Sequence, residues 1–155
     1  MNKVSYLTEE GRKKLQAELE NLSGPVRHEL SVRLRSAIQM GDLSENADYK
    51  QAKEDQGFLE GRIQELIQIL GNVVIIQEND APKDTVQIGS KVTIQETGED
   101  KETYLLVGPQ EADPAKGRIS YSSPIGEAVL NHKIGETVTA NTPAGPINFK
   151  ILEIQ

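Results

Sequence analysis

An acidic cluster is the part of this sequence best suited to chemistry. Asp42, Glu45 and Asp48 place three carboxylates within seven residues, and no Lys or Arg lies between Ser36 and Tyr49. Like charges at this spacing repel one another, so we expect the cluster to meet a positive partner. Magnesium prefers oxygen ligands, but it takes six of them and keeps several waters. Two carboxylates could therefore complete a magnesium site whose other ligands come from a partner molecule. In two-metal phosphoryl transfer, such a second ion activates the attacking water.

The same spacing also fits a purely structural role. Asp42 and Glu45 are three residues apart, as in an N-capping box, and acids near a helix N-terminus meet the positive end of its dipole. Spacing alone favours the cap. The two interpretations are separable, because Asp42→Asn keeps a good cap and removes a metal ligand. Asp48 is either a third ligand or a solvated helix residue.

Basic residues surround the acidic cluster in the sequence. Lys50 and Lys53 follow it and lie within one helical turn of each other, and Arg33 and Arg35 precede it. They form either a solvated face with helical ion pairs or a small patch that contacts phosphate, for which Lys53 is the best candidate. Tyr49 either packs within the hairpin or stacks on a base.

Two helical patterns flank the cluster and must position it. Residues 8–40 predict one helix with Thr8 as N-cap, interrupted at Gly24-Pro25, where Pro removes a hydrogen-bond donor. Residues 46–71 predict a second helix with coiled-coil spacing. Few residues separate the two, so the helices run antiparallel, each about 40 Å long, with the cluster at the far end. The two apolar stripes are Leu15, Leu19, Leu22, Val26, Leu30 and Leu34, and Tyr49, Ala52, Gln56, Leu59, Ile63, Leu66 and Leu70.

The second half of the chain has the two-residue period of strands. Short apolar runs and a turn at residues 143–146 predict an antiparallel sheet. The composition of residues 77–86 predicts a linker before it. Ser123 and Pro124 suit the N-cap and first position of one short helix. The predicted fold class is therefore α+β, with a coiled-coil hairpin at residues 1–76 and a sheet domain at residues 77–155.

Composition narrows the functional classes. The chain has 155 residues, a net charge of −7 and no Cys, so it has no disulfide or zinc-thiolate site. Residues 1–72 carry ten Lys/Arg against twelve Asp/Glu, and residues 73–155 carry seven against twelve. Neither half has the field of an autonomous nucleic-acid binder. No stretch of 18 apolar residues occurs, so we expect no membrane association and a cytoplasmic protein.

Several segments spread over the whole chain form a specific set of motifs. They are LTEEGRKKLQAELENL, GDLSENADY with KQAKEDQGFLEGRIQEL, EADPAKGRIS, SSPIGEAVLNHKIGE and TPAGPINFKILEI. Together they resemble the GreA/GreB transcript-cleavage factors of bacterial RNA polymerase, with the GreA branch the closer. The resemblance implies that family's fold, an antiparallel coiled coil joined to an FKBP-like domain.

The resemblance implies a function. The C-terminal domain would dock at the mouth of the polymerase's secondary channel, and the coiled coil would reach the active site through it. There Asp42 and Glu45 would hold the second Mg²⁺ jointly with the polymerase, while Lys53, with Lys50, would contact the 3′ part of the nascent RNA. The protein would be a monomer and no enzyme by itself. The implied polymerase-binding residues are Ser122, Pro124 and Ile125.

The chain also departs from the family pattern. His28 stands at a usual Pro, and Ser36–Met40 replaces a usual charged stretch. Inhibitory relatives alter the tip acids, whereas this chain keeps them, which favours cleavage. A regulator that only blocks the channel is the alternative. Prolyl isomerisation is disfavoured, because the second half has three aromatic residues and no clear prolyl pocket in its sequence.

Overall fold

The computed structural model describes residues 3–41, 46–77 and 83–155. The chain divides into two compact units, one built from Arg12–Val73 and the other from Ser5–Gly11 together with Val74–Gln155. The segment Ser5–Gly11 therefore groups with the C-terminal half, whereas the sequence pattern places it with the hairpin. Its first four residues form a strand that the sequence did not predict.

The helical unit contains three α-helices: α1 (Glu9–Asn21), α2 (Arg27–Gln39) and α3 (Ala47–Leu70). The predicted N-cap of α1 is confirmed, because the Gly11 N–H donates to Thr8 Oγ1 at 3.0 Å. A π-helical turn, Leu22–Val26, joins α1 to α2 and contains Pro25. The residues on either side of this turn keep right-handed helical dihedrals. Pro25 therefore lies in a single wider, π-helical turn, and the helix continues on both sides of it.

Leucine and isoleucine side chains from the two predicted stripes form the core of this unit. Leu30, Ala52, Leu59 and Ile63 are buried, and Leu19, Leu22, Val26 and Leu34 pack against them. The stripes are thus confirmed along most of their length. At the end of α3, Ile69 is buried and Leu70 only partly so, because the stripe continues with a step of three rather than four.

Three arginines bridge the helices and fix their register. Arg62 binds the Glu18 carboxylate at 2.7 and 3.0 Å, Arg27 binds Glu60 at 2.9 Å, and Arg33 binds Asp55 at 2.7 Å. The partner numbers fall along α3 as the numbers rise along α1 and α2, which confirms the antiparallel arrangement. These pairs are partly exposed, so each adds little free energy and mainly selects one alignment.

The Glu18–Arg62 pair makes the stability of the helical unit depend on pH. The hydrogen bond from Arg62 holds the pKa of Glu18 below its ordinary value of 4.5. A carboxyl with a lowered folded-state pKa stabilises the fold above its unfolded-state pKa and loses that effect as the pH falls through the folded value. We therefore expect the thermal midpoint of the parent to fall more steeply below about pH 4.5 than that of Glu18→Gln.

Thermal unfolding followed by circular dichroism between about pH 6 and pH 3 measures this difference. Glu54→Gln is the matched control, because Glu54 is exposed on α3 and has no hydrogen bond or ion pair within the described part of the chain. Parallel curves for the parent and Glu18→Gln would show that the pair does not contribute.

The second unit is built on a five-stranded sheet. Strands β1 (Ser5–Thr8) and β2 (Val73–Ile76) form a separate two-stranded sheet. The larger sheet has the order β5-β4-β3-β7-β6. Its strands are β3 (Lys91–Glu96), β4 (Lys101–Val107), β5 (Arg118–Ser120), β6 (Thr137–Thr142) and β7 (Gly145–Ile154).

One strand pair corrects the prediction of an antiparallel sheet. β4 and β5 pair in parallel, with Leu106 opposite Ile119, while the other pairs of this sheet are antiparallel. The chain between β4 and β5 makes two 3₁₀ turns, Pro109–Glu111 and Pro114–Lys116. This connection carries the chain back along the sheet, so that β5 enters in the same direction as β4.

The core of the sheet unit lies between its strands and one short helix, α4 (Pro124–Val129). Ser123 is its N-cap, as predicted, and accepts from the Gly126 N–H at 3.1 Å.

The predicted linker, residues 77–86, extends too far at its C-terminal end. Val86 is fully buried, and Thr85 forms a β-bridge with Lys133. Residues 78–82 of that linker lie outside the described residues.

Candidate functional site

Two acids of the cluster, Asp42 and Glu45, come between α2 and α3 in the sequence, and Asp48 lies in the first turn of α3. Asp42 and Glu45, the two predicted metal ligands, are outside the described residues. The structure does describe both ends of the connection. α2 ends at Gln39, and Gly41 follows with φ +116°, a left-handed dihedral that favours glycine.

Asn46 starts α3. Its Oδ1 accepts from the Tyr49 N–H at 3.0 Å, and its backbone is extended, as an N-cap requires. The capping-box interpretation, with Asp42 as the cap, is therefore wrong. Asn46 is itself a preferred N-cap residue type, so a local signal for it was present in the sequence. The two acids are not needed to begin the helix.

Asp48 is engaged by an arginine from the other helix. Arg33 Nε lies 3.7 Å from Asp48 Oδ1, and Arg33 Nη1 lies 2.7 Å from Asp55 Oδ2. The hydrogen bond to Asp55, together with the charge of Asp48, holds the pKa of Arg33 above its ordinary value. A metal ion would have to compete with this guanidinium for Asp48. Because Arg33 already pairs with two carboxylates of α3, it does not belong to a patch that contacts phosphate.

Lys50 and Lys53 lie on the first two turns of α3 and are both exposed. Lys53 Nζ donates to Gln56 Oε1 at 3.2 Å. Neither lysine forms an ion pair with a carboxylate in the stretches that the structure describes, so the alternative of helical ion pairs is not met at these two residues. Tyr49 is half-buried against the hairpin. Two ammonium groups therefore remain available to an anion beside the acidic connection.

The three predicted docking residues lie at the start of α4. Ser122 and Pro124 are exposed. Ser122 Oγ and Ser120 Oγ are 2.7 Å apart, and Ser123 Oγ donates to the Ser120 carbonyl at 2.6 Å. A Cβ at Gly126 would overlap that carbonyl, so glycine permits the tight approach. Hydrogen bonds thus hold this exposed loop in one shape.

Ile125 lines a cavity of about 300 Å³ in the sheet unit. The lining also includes apolar residues of β3 and β7 and acidic residues of β3, β4 and the turn that joins these two strands. Such a cavity suits an apolar side chain whose neighbours are basic. The other lining residues are Ile94, Ile147 and Phe149, and Glu96, Glu99, Asp100 and Glu102. The sequence did not predict this acidic lining, because strand periodicity does not show which turns lie near α4.

Two further observations concern metal and membrane. No group of three or more His, Cys, Asp or Glu within residues 3–41, 46–77 and 83–155 could hold a metal ion. No helix in the same stretches is long and apolar enough to span a bilayer.

Comparison with known proteins gives matches over both halves of the chain. Residues 5–75 match the family described as Transcription elongation factor, N-terminal, and residues 81–155 match Transcription elongation factor, GreA/GreB, C-term. Transcription elongation factor GreA of Acetivibrio thermocellus is 46% identical over 155 residues, covering 99% of this chain and 98% of the relative. The GreA of Caldanaerobacter subterraneus subsp. tengcongensis is 46% identical over 156 residues, covering 100% and 99%.

A solved structure also matches the chain. The crystal structure of GreA factor homolog 1 from Thermus thermophilus is 26% identical, covers 99% of each chain and has a TM-score of 0.45. The likeness in sequence extends over nearly the full length of the chain and of the relatives named above.

Proposed function

Since this chain belongs to the GreA/GreB family of transcription elongation factors, we propose that it binds RNA polymerase at the secondary channel and stimulates cleavage of nascent RNA in backtracked complexes. The polymerase's own active centre performs the cleavage, and the protein has no nuclease activity alone. The proposal is supported by the place of Asp42 and Glu45 in the sequence, between two antiparallel helices of which the second, α3, is capped by Asn46.

Asp42 and Glu45 are the proposed ligands of a Mg²⁺ ion shared with the polymerase. Carboxylate oxygens suit magnesium, and two of them leave room for ligands from the polymerase and for waters. Held by Asp42, Glu45 and the polymerase, such an ion would supply Lewis-acid activation of water for phosphodiester hydrolysis. The contribution of this chain is to present two negative charges at the end of a helical hairpin whose register three arginine pairs hold.

Lys53 and Lys50 are proposed to contact the 3′ part of the RNA. Both are exposed on α3 just beyond the acidic connection, and no carboxylate within the described part of the chain neutralises them. A cation in this position attracts a backbone phosphate without reading its sequence. This fits a factor that must act on any transcript.

Polymerase docking is proposed for the surface around Ser122, Pro124 and Ile125, on a C-terminal unit of FKBP-like fold. The exposed loop before α4 is held rigid by serine hydrogen bonds, so little conformational entropy is lost when it is bound. The cavity beside Ile125 receives an apolar side chain of the polymerase, and the acidic residues that also line it favour Lys or Arg next to that side chain.

Truncating Ile125 tests the docking surface. Ile125→Ala removes apolar area from the cavity wall, and we expect the Kd for polymerase to rise about tenfold. Competition against a labelled parent protein measures the Kd. At saturating protein the maximal cleavage rate should stay at the parental value, because the acidic connection is untouched.

Ile134→Ala is the control for this experiment. Ile134 is an exposed aliphatic residue of the same unit that does not line the cavity. It should bind like the parent. Equal affinities for Ile125→Ala and the parent would remove Ile125 from the interface.

The function itself is tested on stalled elongation complexes that carry end-labelled RNA. Adding the protein with Mg²⁺ should shorten the RNA from its 3′ end, and omitting the polymerase should leave the RNA intact. If the protein competes for polymerase but the RNA is not shortened, it is a channel blocker and the proposal is wrong.

A further inference from the structure

Asn46 bonds to both helices that flank the acidic connection. Its Oδ1 accepts from the Tyr49 N–H at 3.0 Å and so caps α3, while its Nδ2 donates to the Ala37 carbonyl of α2 at 2.8 Å. Ala37 is fully buried. One amide side chain therefore caps the start of α3 and bonds that start to the last turn of α2.

This second bond is distinct from the other links between the helices. The ion pair nearest to the connection joins Arg33 to Asp48 and Asp55, and its side chains are partly exposed. Exposed ion pairs tolerate rearrangement at little cost. The Asn46–Ala37 bond uses a backbone carbonyl, whereas the ion pair joins side chains only, so the bond restrains the chain itself. Of the links described here, it is the one adjacent to the acids in sequence.

We propose that Asn46 is a positioning residue that sets where Asp42 and Glu45 stand, an inference that rests on the proposed function. Glu45 directly precedes Asn46, so the two Cα atoms are about 3.8 Å apart, and Asp42 follows Gly41. Fixing the start of α3 against the end of α2 holds both ends of this short connection at one separation. Displacing a catalytic group by about 1 Å can lower the rate by about 100-fold. Loss of the Asn46–Ala37 bond should therefore lower the cleavage rate more than it lowers the stability of the fold.

Two substitutions of Asn46 separate its two hydrogen bonds. Asn46→Ser keeps a preferred N-cap acceptor, but its shorter side chain has no amide to donate to Ala37. Asn46→Asp also keeps the cap and removes the donor, while adding a negative charge. If the bond to Ala37 positions the acids, both variants cleave more slowly. The added charge of Asp would by itself attract Mg²⁺, so a loss in Asn46→Asp cannot come from weaker attraction of the cation.

The readout is stimulated RNA cleavage at saturating protein, measured as a function of Mg²⁺ concentration. We expect both variants to bind polymerase with parental affinity, to cleave about 10- to 100-fold more slowly, and to need more Mg²⁺ for half-maximal rate. Asn21→Ser is the matched control, because Asn21 is exposed at the end of α1 and makes no side-chain capping bond. It should match the parent in every measurement.

The possible failures are distinguishable. If the parent stimulates cleavage and Asn46→Ser matches its rate and Mg²⁺ dependence, the positioning role is wrong and the proposed function stands. If the variants lose polymerase affinity and thermal stability in the same proportion as cleavage, Asn46 is only a structural cap. If the parent itself fails to shorten RNA, the proposed function and this inference both fall.

Discussion

Replacing Asp42 by Asn and Glu45 by Gln is expected to lower stimulated RNA cleavage by at least about 100-fold. The amides keep the shape of the side chains but remove the two negative charges that would hold the shared Mg²⁺. Binding to polymerase should not change, because the proposed docking residues belong to the other compact unit. The double variant should therefore act as a competitor and suppress cleavage when it is mixed with the parent.

Asp48→Asn is the internal control for that experiment. Asp48 is the third acid of the cluster, but Arg33 already lies 3.7 Å from it, so we expect its loss to change the cleavage rate by less than about threefold. Gel analysis of labelled RNA from stalled complexes gives all the rates. A double variant that cleaves as fast as the parent would show that Asp42 and Glu45 are not the proposed ligands.

Removing Glu111 is expected to cause the largest loss of stability among the substitutions considered. Its side chain, only 11% exposed, pairs with Arg118 at 3.2 Å. It also accepts from the backbone N–H of Thr8 at 2.7 Å and from the Thr8 hydroxyl. Glu111→Ala leaves these partners without their shared acceptor, and we expect the free energy of unfolding of the sheet unit to fall by about 2–4 kcal/mol. Urea unfolding measures it, with the exposed Glu99→Ala as control.

A double-mutant cycle with Gly11 makes this prediction sharper. A Cβ at Gly11 would overlap the Glu111 carboxylate, so Gly11→Ala should destabilise the parent, since the carboxylate must leave its hydrogen bonds. Once Glu111 is replaced by Ala the obstacle is gone. Gly11→Ala should then stabilise by up to about 1 kcal/mol, the ordinary preference of a helix for Ala. If Gly11→Ala has the same sign in both backgrounds, the packing described here is wrong.

The helical hairpin was predictable because its core obeys one local rule. Leu30, Leu59 and Ile63 are buried where the three- and four-residue steps place them, since one face of each helix must leave water. The same rule does not reveal β1. That strand has four residues, and its partner β2 begins at Val73, so its formation depends on a contact distant in sequence.

The N-cap of α3 shows why a local pattern can mislead. Asp42 and Glu45 satisfy the spacing of a capping box, and Asn46 is also a good cap residue. Asn46 supplies the cap, and its amide also reaches the Ala37 carbonyl on the other helix. Residue type and spacing do not reveal that bond, because it forms only once the chain has reversed between α2 and α3. The parallel entry of β5 has a similar origin, because it depends on the path of the chain through residues 108–117.

The most direct test of the central claim is a Mg²⁺ titration of RNA cleavage in backtracked complexes, with and without the protein. If the protein supplies ligands for a shared ion, it should lower the Mg²⁺ concentration for half-maximal cleavage by about tenfold or more, a shift that corresponds to about 1.4 kcal/mol of added binding. The Asp42→Asn, Glu45→Gln variant should leave the polymerase's own value unchanged. A rate increase of the same factor at every Mg²⁺ concentration would contradict the claim.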